Sequence, residues 1–343
     1  MIRPWDRWRG KPNMPNRCVA LVGCGRWGQN IARTLAELGA LAAIVDADGG
    51  RAAAMAKQFD VPAYTDPAKA FADSAVLGCA VATPADLHFG VARQALEAGK
   101  DVFVEKPITT AIEDAIALNE LAAKHSRILM VGHLLQYHPH FAALLKIVRS
   151  GELGRLYYAH LVRANLGQVR HAENALWSLA PHDMSMLLAI AGEMPRSVAA
   201  FGVGALQSSI QDAVMVCLDF PSGLGAHVFS SWINPFKEHK LTLSAERGML
   251  VFDDTAPWEK KLAQYRHAFE GLGTPTPVSK AGPVDYIVPE ADQPLHAEMR
   301  HFVECIETRR PALTDGAEAL RVLRLLRACQ HALEEKPRAN FPG

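Results

Sequence analysis

The chain has 343 residues, more than one hydrophobic core usually serves, so about two domains are expected. Hydrophobic residues make up 49% and charged residues 21%, which excludes a disordered chain. With 36 Lys+Arg against 36 Asp+Glu the net charge is zero, which argues against a nucleic-acid or anionic-membrane partner, and no apolar run approaches the roughly 20 residues that span a bilayer.

The chain opens MIRPWDRWRGKPNMPNR, with basic residues but no continuous apolar stretch, so it does not read as a secretory signal. Residues 1–16 are read as an extension, a start at Met14 would serve the fold equally, and a cytoplasmic protein is expected. Six cysteines, Cys18, Cys24, Cys79, Cys217, Cys305 and Cys329, form no C-x-x-C pair. They read as small buried hydrophobes in a reducing compartment rather than as disulfides or zinc ligands.

From Cys18 onward short apolar runs alternate with helical patterns. Cys18–Val22 reads as a strand, and Ile31, Leu35 and Leu38 then recur at helical spacing up to Gly39. Leu41–Val45 is a second strand. Asp66-Pro67 is a good N-cap and first-turn pair for a short helix. Leu77–Ala82, Asp101–Val104 and Ile128–Val131 are further strands. Helices are expected over Asp86–Ala98 and from a Thr110/Glu113 capping box to about His125. This alternation predicts a parallel sheet covered on both faces, over residues 17–135.

Beyond GELGR (Gly151–Arg155) the pattern changes. Leu156–Arg163, Ser197–Val203, Ala213–Phe220, Leu224–Trp232, Lys240–Ala245 and Met249–Asp253 read as strands, with turns at Pro221-Ser222-Gly223 and Arg247-Gly248. One helix, about Pro181–Ala191, interrupts them. The second domain, residues 136–334, is therefore expected as an α/β domain with a large, mostly antiparallel open sheet. Helices at Leu295–Thr308 and Gly316–Leu333 could pack back on the first domain.

Three glycines in VGCGRWG, Gly23, Gly25 and Gly28, follow the first strand and open a helix, and Asp46 closes the second strand 18 residues after Gly28. That is the context of a dinucleotide-binding turn: a tight turn at Gly23, close backbone approach of a pyrophosphate at Gly25, and close helix–strand packing at Gly28. Arg26 and Trp27 lie inside the loop. Asp46 is expected to take the adenosine ribose hydroxyls and to repel a 2′-phosphate, favouring NAD over NADP, with Arg51 near enough to oppose that preference. Thr83-Pro84 and Glu105-Lys106-Pro107 each follow a strand. In a parallel sheet these carboxyl ends share one rim, where ligands bind. A Lys at that rim can stabilise negative charge on a substrate oxygen. Position alone leaves Lys106 equally open to a solvated surface role. Pro181 places His182 at a helix N-terminus, which disfavours the imidazolium, although the sequence alone favours a surface or core role for a lone His there.

GCGRWG, the Asp at the second strand end, ATPADLH (Ala82–His88), VEKPI (Val104–Ile108), VGHLLQYHP (Val131–Pro139), SGELGR, LAPHD (Leu179–Asp183), RGMLVFDD and PALTDG resemble the glucose–fructose oxidoreductase / inositol dehydrogenase family (Gfo/Idh/MocA) over about residues 17–334. The resemblance implies a Rossmann domain plus an open-sheet α/β domain. It further implies NAD(P)-dependent oxidation or reduction of a secondary alcohol on a sugar, cyclitol or nucleotide-sugar, with Lys106 and His182 as the catalytic pair and a homodimer or homotetramer. It implies a cofactor site of Gly23, Gly25, Arg26, Trp27, Gly28, Asp46, Thr83, Pro84, His88, Glu105 and Lys106, and a cis peptide at Lys106–Pro107. The family's Asp four residues before its His is Ser178 here, and its Arg in the VGHLLQYHP segment is Gln136. Candidate substrate contacts are His133, Arg163, Arg170, Asn174, Trp177, Ser178, Asp183 and Lys237. Histidines 133, 138 and 140 lack the acidic or cysteine partners of a metal site, so no metal is expected. Two alternatives stay open: an NAD(P)H-dependent ketosugar or imine reductase, and a dinucleotide and sugar sensor without turnover.

Overall fold

The computed structural model describes residues 17–207, 209–271 and 273–335, so the expected N-terminal extension lies outside the described residues. The first elements are β1 (Val19–Val22), α1 (Arg26–Glu37), β2 (Leu41–Val45), α2 (Gly49–Phe59), β3 (Ala63–Tyr64), α3 (Pro67–Phe71), β4 (Gly78–Val81), α4 (His88–Glu97), β5 (Asp101–Val104), α5 (Ile112–Lys124) and β6 (Leu129–Val131). The strands form one sheet in the order β3-β2-β1-β4-β5-β6, every pair parallel. β1, β4 and β5 are buried at every residue, as a sheet covered on both faces requires. Order reverses between β1 and β4, which sets a ligand crevice at the carboxyl ends of those strands.

Local chemistry explains most boundaries. Asp66 caps α3 by accepting from the Ala68 amide at 2.9 Å, with Pro67 in the first turn. Helix α2, which apolar periodicity does not reveal, is capped by Asp48, whose Oδ1 accepts from Gly50 and Arg51 amides. The expected Thr110/Glu113 capping box is not formed. The N-cap of α5 is Ala111, without a side-chain cap, because the buried Thr109 hydroxyl donates to the Ala111 carbonyl at 2.6 Å and the helix begins at Ile112. Glu113 and Asp114 still favour that end through the helix dipole.

The chain continues through α6 (Pro139–Arg149), β7 (Leu156–Leu166), α7 (Ala175–Leu179), α8 (Pro181–Ala191), β8 (Ser197–Val203), β9 (Ala213–Asp219), β10 (Gly225–Ser231), β11 (Ile233–Ala245), β12 (Gly248–Asp253), β13 (Leu262–Tyr265), β14 (Ala268–Glu270), β15 (Val278–Lys280) and β16 (Val284–Tyr286). Eight of these strands form a sheet in the order β16-β13-β12-β11-β7-β10-β9-β8. Only β7 and β10 run parallel; the other pairs are antiparallel. Along β9 and β10 burial alternates, with Val214, Val216, Leu218, Ala226 and Val228 inward.

Two helices follow among the described residues, α9 (Pro294–Thr308) and α10 (Gly316–Glu335). Residues 17–138 and 291–323 form one compact unit, and 139–290 with 324–335 form the other. Within the first unit α9 lies antiparallel to the sheet. Arg309, just past its end, binds Asp101 at the start of β5 (Nη2–Oδ1, 2.9 Å), and about two turns earlier the Phe302 ring meets Phe103 at 6.0 Å between centroids. Among the described residues no helix is long and apolar enough to cross a membrane.

Candidate active site

The glycine loop is shaped as a ligand cradle. Gly23 has φ +105°, a conformation that side chains rarely adopt, and a Cβ there would press on the Ala82 backbone. A Cβ on Gly28 would be driven into the Gly23 carbonyl oxygen, so α1 can follow β1 this closely only with glycine. Gly25 is different: nothing lies within 4 Å of a Cβ built on it. Its exposed backbone, at the start of α1, leaves room for a pyrophosphate to approach the helix N-terminus. These residues fit a dinucleotide. Gly25→Ala is expected to keep the melting temperature within a few degrees while weakening dinucleotide binding at least about tenfold. Gly28→Ala should lower the melting temperature clearly by forcing α1 off β1. Paired thermal melts and titrations check both.

Asp46 sits at the end of β2, only 8% exposed. Its Oδ2 accepts from the Cys24 amide in the glycine loop at 2.7 Å, and its Oδ1 from the Asp48 amide and Arg51 Nη2, both at 2.9 Å. Burial opposes its charge, but the two amides and the guanidinium outweigh it and hold the carboxyl below its usual range. Asp46 therefore stays anionic at neutral pH and braces the loop. The Arg51 pairing places a cation at the same edge.

Thr83 and Pro84 follow β4, and Glu105, Lys106 and Pro107 follow β5, so the parallel register puts both segments on the rim beside the glycine loop. The Lys106–Pro107 peptide is cis. The Thr83 hydroxyl oxygen is buried there without a hydrogen-bond partner, an unusual state for a polar atom away from a ligand site. His88 is 2% exposed and ties the two segments together, Nε2 to the Thr83 carbonyl at 2.9 Å and Nδ1 to the Pro107 carbonyl at 2.8 Å. A neutral ring can donate to only one of them. Burial lowers its pKa, and the two carbonyls pull the other way. Trp27 Nε1 donates to Glu105 Oε1, and the Lys106 amide to Glu105 Oε2 at 3.3 Å, so the glycine loop is also linked to the Glu-Lys-Pro segment. Arg26 and Trp27, expected inside the loop, are the exposed first two residues of α1.

His133 does not present a free ring to this rim. It is 2% exposed and its Nδ1 bonds Glu318 Oε2 at 2.6 Å, while Gln136 Nε2 donates to Glu318 Oε1 at 3.0 Å. Glu318 is the partner that sequence spacing could not supply. Among the described residues no group of three or more His, Cys, Asp or Glu side chains is placed to hold a metal ion.

In the second unit, His182 is the second residue of α8, after Pro181, and is half-buried. The next residue, Asp183, is 1% exposed and forms a forked pair with Arg163 of β7: Nε–Oδ2 2.7 Å and Nη2–Oδ1 2.9 Å. Arg163 Nη1 also faces His239 Nδ1 at 3.3 Å. Burial, then the nearby Arg163 and Lys237 charges, push His239 down to about 4, so its ring is neutral at neutral pH. The pair fixes the first turn of α8, which carries His182. Sequence spacing had singled out Arg163 and Asp183 as substrate contacts but not each other, and it missed His239. Asn174 caps α7 through the Trp177 amide and donates to Gln211 and Gln330. Trp177 Nε1 donates to Gln330 at 3.1 Å, and the Arg327 guanidinium lies over its ring. Ser178 is half-buried in α7, while Arg170 and Lys237 lie on loop and strand surface.

Residues 17–133 match the oxidoreductase family with an NAD-binding Rossmann fold, and residues 141–251 match the GFO/IDH/MocA C-terminal domain. UDP-N-acetylglucosamine 3-dehydrogenase of Acidithiobacillus ferrooxidans is 26% identical over 315 residues, 89% of this chain and 93% of that protein. Bacillus subtilis scyllo-inositol 2-dehydrogenase (NAD(+)) is 24% identical, over 87% of this chain and 89% of that one. A crystal form of the A. ferrooxidans enzyme superposes with a TM-score of 0.81 at 24% identity, covering 92% of this chain and 97% of that one. With both of its domains matched in sequence and fold, the chain belongs to the Gfo/Idh/MocA oxidoreductase family.

Proposed function

We propose that the protein is an NAD-dependent oxidoreductase that moves a hydride between a secondary alcohol of a sugar, cyclitol or nucleotide-sugar and nicotinamide. The observation that carries this is the first unit's rim, where the open glycine loop, the anionic Asp46 and the Lys106 segment share one side of a single parallel sheet. Relatives named as dehydrogenases of an inositol and of a UDP-linked aminosugar support the substrate class.

The bound dinucleotide supplies the hydride acceptor. Gly23, Gly25 and Gly28 with the start of α1 would hold its pyrophosphate, and Asp46 its adenosine ribose. The protein's task is then the hydroxyl proton. A sugar alcohol is a poor acid, so the proton must leave as the hydride does. In this reading Lys106 stabilises charge on the substrate oxygen and His182 accepts its proton. Ser178 cannot hold charge at neutral pH, so it orients a water or the ring. The Arg163–Asp183 pair keeps the start of α8 in place rather than binding substrate.

The test is a screen for reduced nicotinamide absorbance with NAD or NADP against uridine- and thymidine-linked sugars, free sugars and inositols. Turnover of one class supports the reading. Tight dinucleotide binding with no turnover of any class would favour a sensor.

The NAD preference follows from Asp46. NAD is expected to bind at least about tenfold tighter than NADP, because a 2′-phosphate would face a buried carboxylate. The Arg51 guanidinium limits the gap, so Arg51→Ala should widen it and Asp46→Ala should narrow it. Tryptophan-fluorescence titrations read this out, and equal affinities would sink the argument. The same reading includes a homo-oligomer, since Phe201, Phe229 and Met215 share one outward face of the eight-stranded sheet.

A further inference from the structure

A buried carboxyl that the proposed chemistry does not use lies behind the Glu-Lys-Pro segment. Glu298 on α9 is fully buried, and neither of its carboxyl oxygens has a hydrogen-bond partner. The register of α9 on β5 says what it faces. Arg309 meets Asp101 at the start of β5, and Phe302 meets Phe103 two residues along. One further helical turn back from Phe302 is Glu298, and two further residues along the strand is Glu105. Steps of about 6 Å on both elements keep them in line. A Cβ on Gly132 would come within 2.9 Å of Glu105 Oε2, so the backbone after β6 lies close against the Glu105 carboxyl.

Asp46 at the end of β2 would take the adenosine end of a dinucleotide, and the glycine loop after β1 its centre. A nicotinamide end bound on the same rim would then lie toward the carboxyl ends of β4 and β5, where Glu105 stands. Its ring is cationic when oxidised and neutral when reduced. Resting on the dinucleotide reading above, we infer that Glu105 and Glu298 act as a carboxyl pair carrying one negative charge at most, and that the Glu105 anion selects the oxidised over the reduced dinucleotide.

A fully buried carboxyl in line with a half-buried one resists double ionisation. Burial, with the Glu105 charge added, drives Glu298 well above the carboxylate range. Burial pushes Glu105 up to about 7, against the pull of the Trp27 indole, Lys106 and His133. The titratable groups around the pair are Lys106 on its own segment, His133 with its Glu318 partner, and Tyr137, which also senses Glu298. The sign follows. Below about pH 7 Glu105 holds a proton, and a cationic ring favours its release to solvent. Affinity for oxidised dinucleotide should rise up to about tenfold per pH unit until about pH 7 and then level. Affinity for the reduced form should lack this rise.

The experiment has two arms. Infrared spectra of the ligand-free protein should show a protonated carboxyl band that persists at about pH 8 and vanishes in Glu298→Gln. In calorimetric titrations at about pH 6 in two buffers, oxidised dinucleotide should release up to about one proton, and Glu105→Gln should abolish both the release and the pH slope. Glu298→Gln should keep the release. A protein lacking the band overturns the pair. A Glu105→Gln variant with an unchanged slope, or a Glu298→Gln variant without release, overturns the assignment of the charge to Glu105. If neither dinucleotide binds at any pH, the functional reading fails and the selectivity with it, while the infrared result judges the pair on its own.

Discussion

Lys106→Ala and His182→Ala are each expected to lower kcat by about 10² or more on the true substrate, and Ser178→Ala by less than about tenfold. The difference is chemical. A positioned base that takes the hydroxyl proton during hydride loss is worth about 10² to 10⁴ in rate, and a cation on the same oxygen stabilises the charge left behind. A serine in α7 can supply a hydrogen bond but no charge. Equal damage from Ser178→Ala and His182→Ala would move the proton path to the serine. Full activity in all three variants would misplace the centre.

Asp183→Ala should cost about 3–5 kcal/mol of stability, the largest effect expected of any single change in the second unit. Arg163 and Asp183 are 7% and 1% exposed, and removing one partner leaves the other charge buried and uncompensated. His239 cannot take over, because Arg163 already lies against its neutral ring. Replacing both partners at once, Arg163→Met with Asp183→Leu, should recover most of that loss, since apolar groups of similar volume need no pairing. Chemical denaturation of the single and double variants checks this. A single variant as stable as the parent would show that water reaches the pair.

Much of the first unit could be read from the chain because its signals are local. The glycine turn, the acidic residue 18 positions on, and the Asp66-Pro67 cap are short-range patterns; the turn and the cap take the expected backbone form, and Asp46 closes β2. Helix α2 escaped because it opens on Gly49-Gly50 and runs through alanines, so no apolar stripe marks it; Asp48 as a cap was the available signal. The Thr110/Glu113 box was misread because the deciding bond comes from Thr109. The site's polar partners were the least legible. His133 and Gln136 meet Glu318, and Arg163 meets Asp183, all across long sequence separations. A glutamate on an amphipathic helix reads as solvated until the sheet beneath it is known.

The account stands or falls on hydride transfer. Once the screen identifies a substrate, the decisive measurement uses that compound with deuterium on its carbinol carbon and follows the label by mass spectrometry of the dinucleotide. One deuterium on the reduced nicotinamide ring, lost with turnover in Lys106→Ala, is the predicted result. Product formed with the deuterium released to water, and none on the nicotinamide, would contradict it.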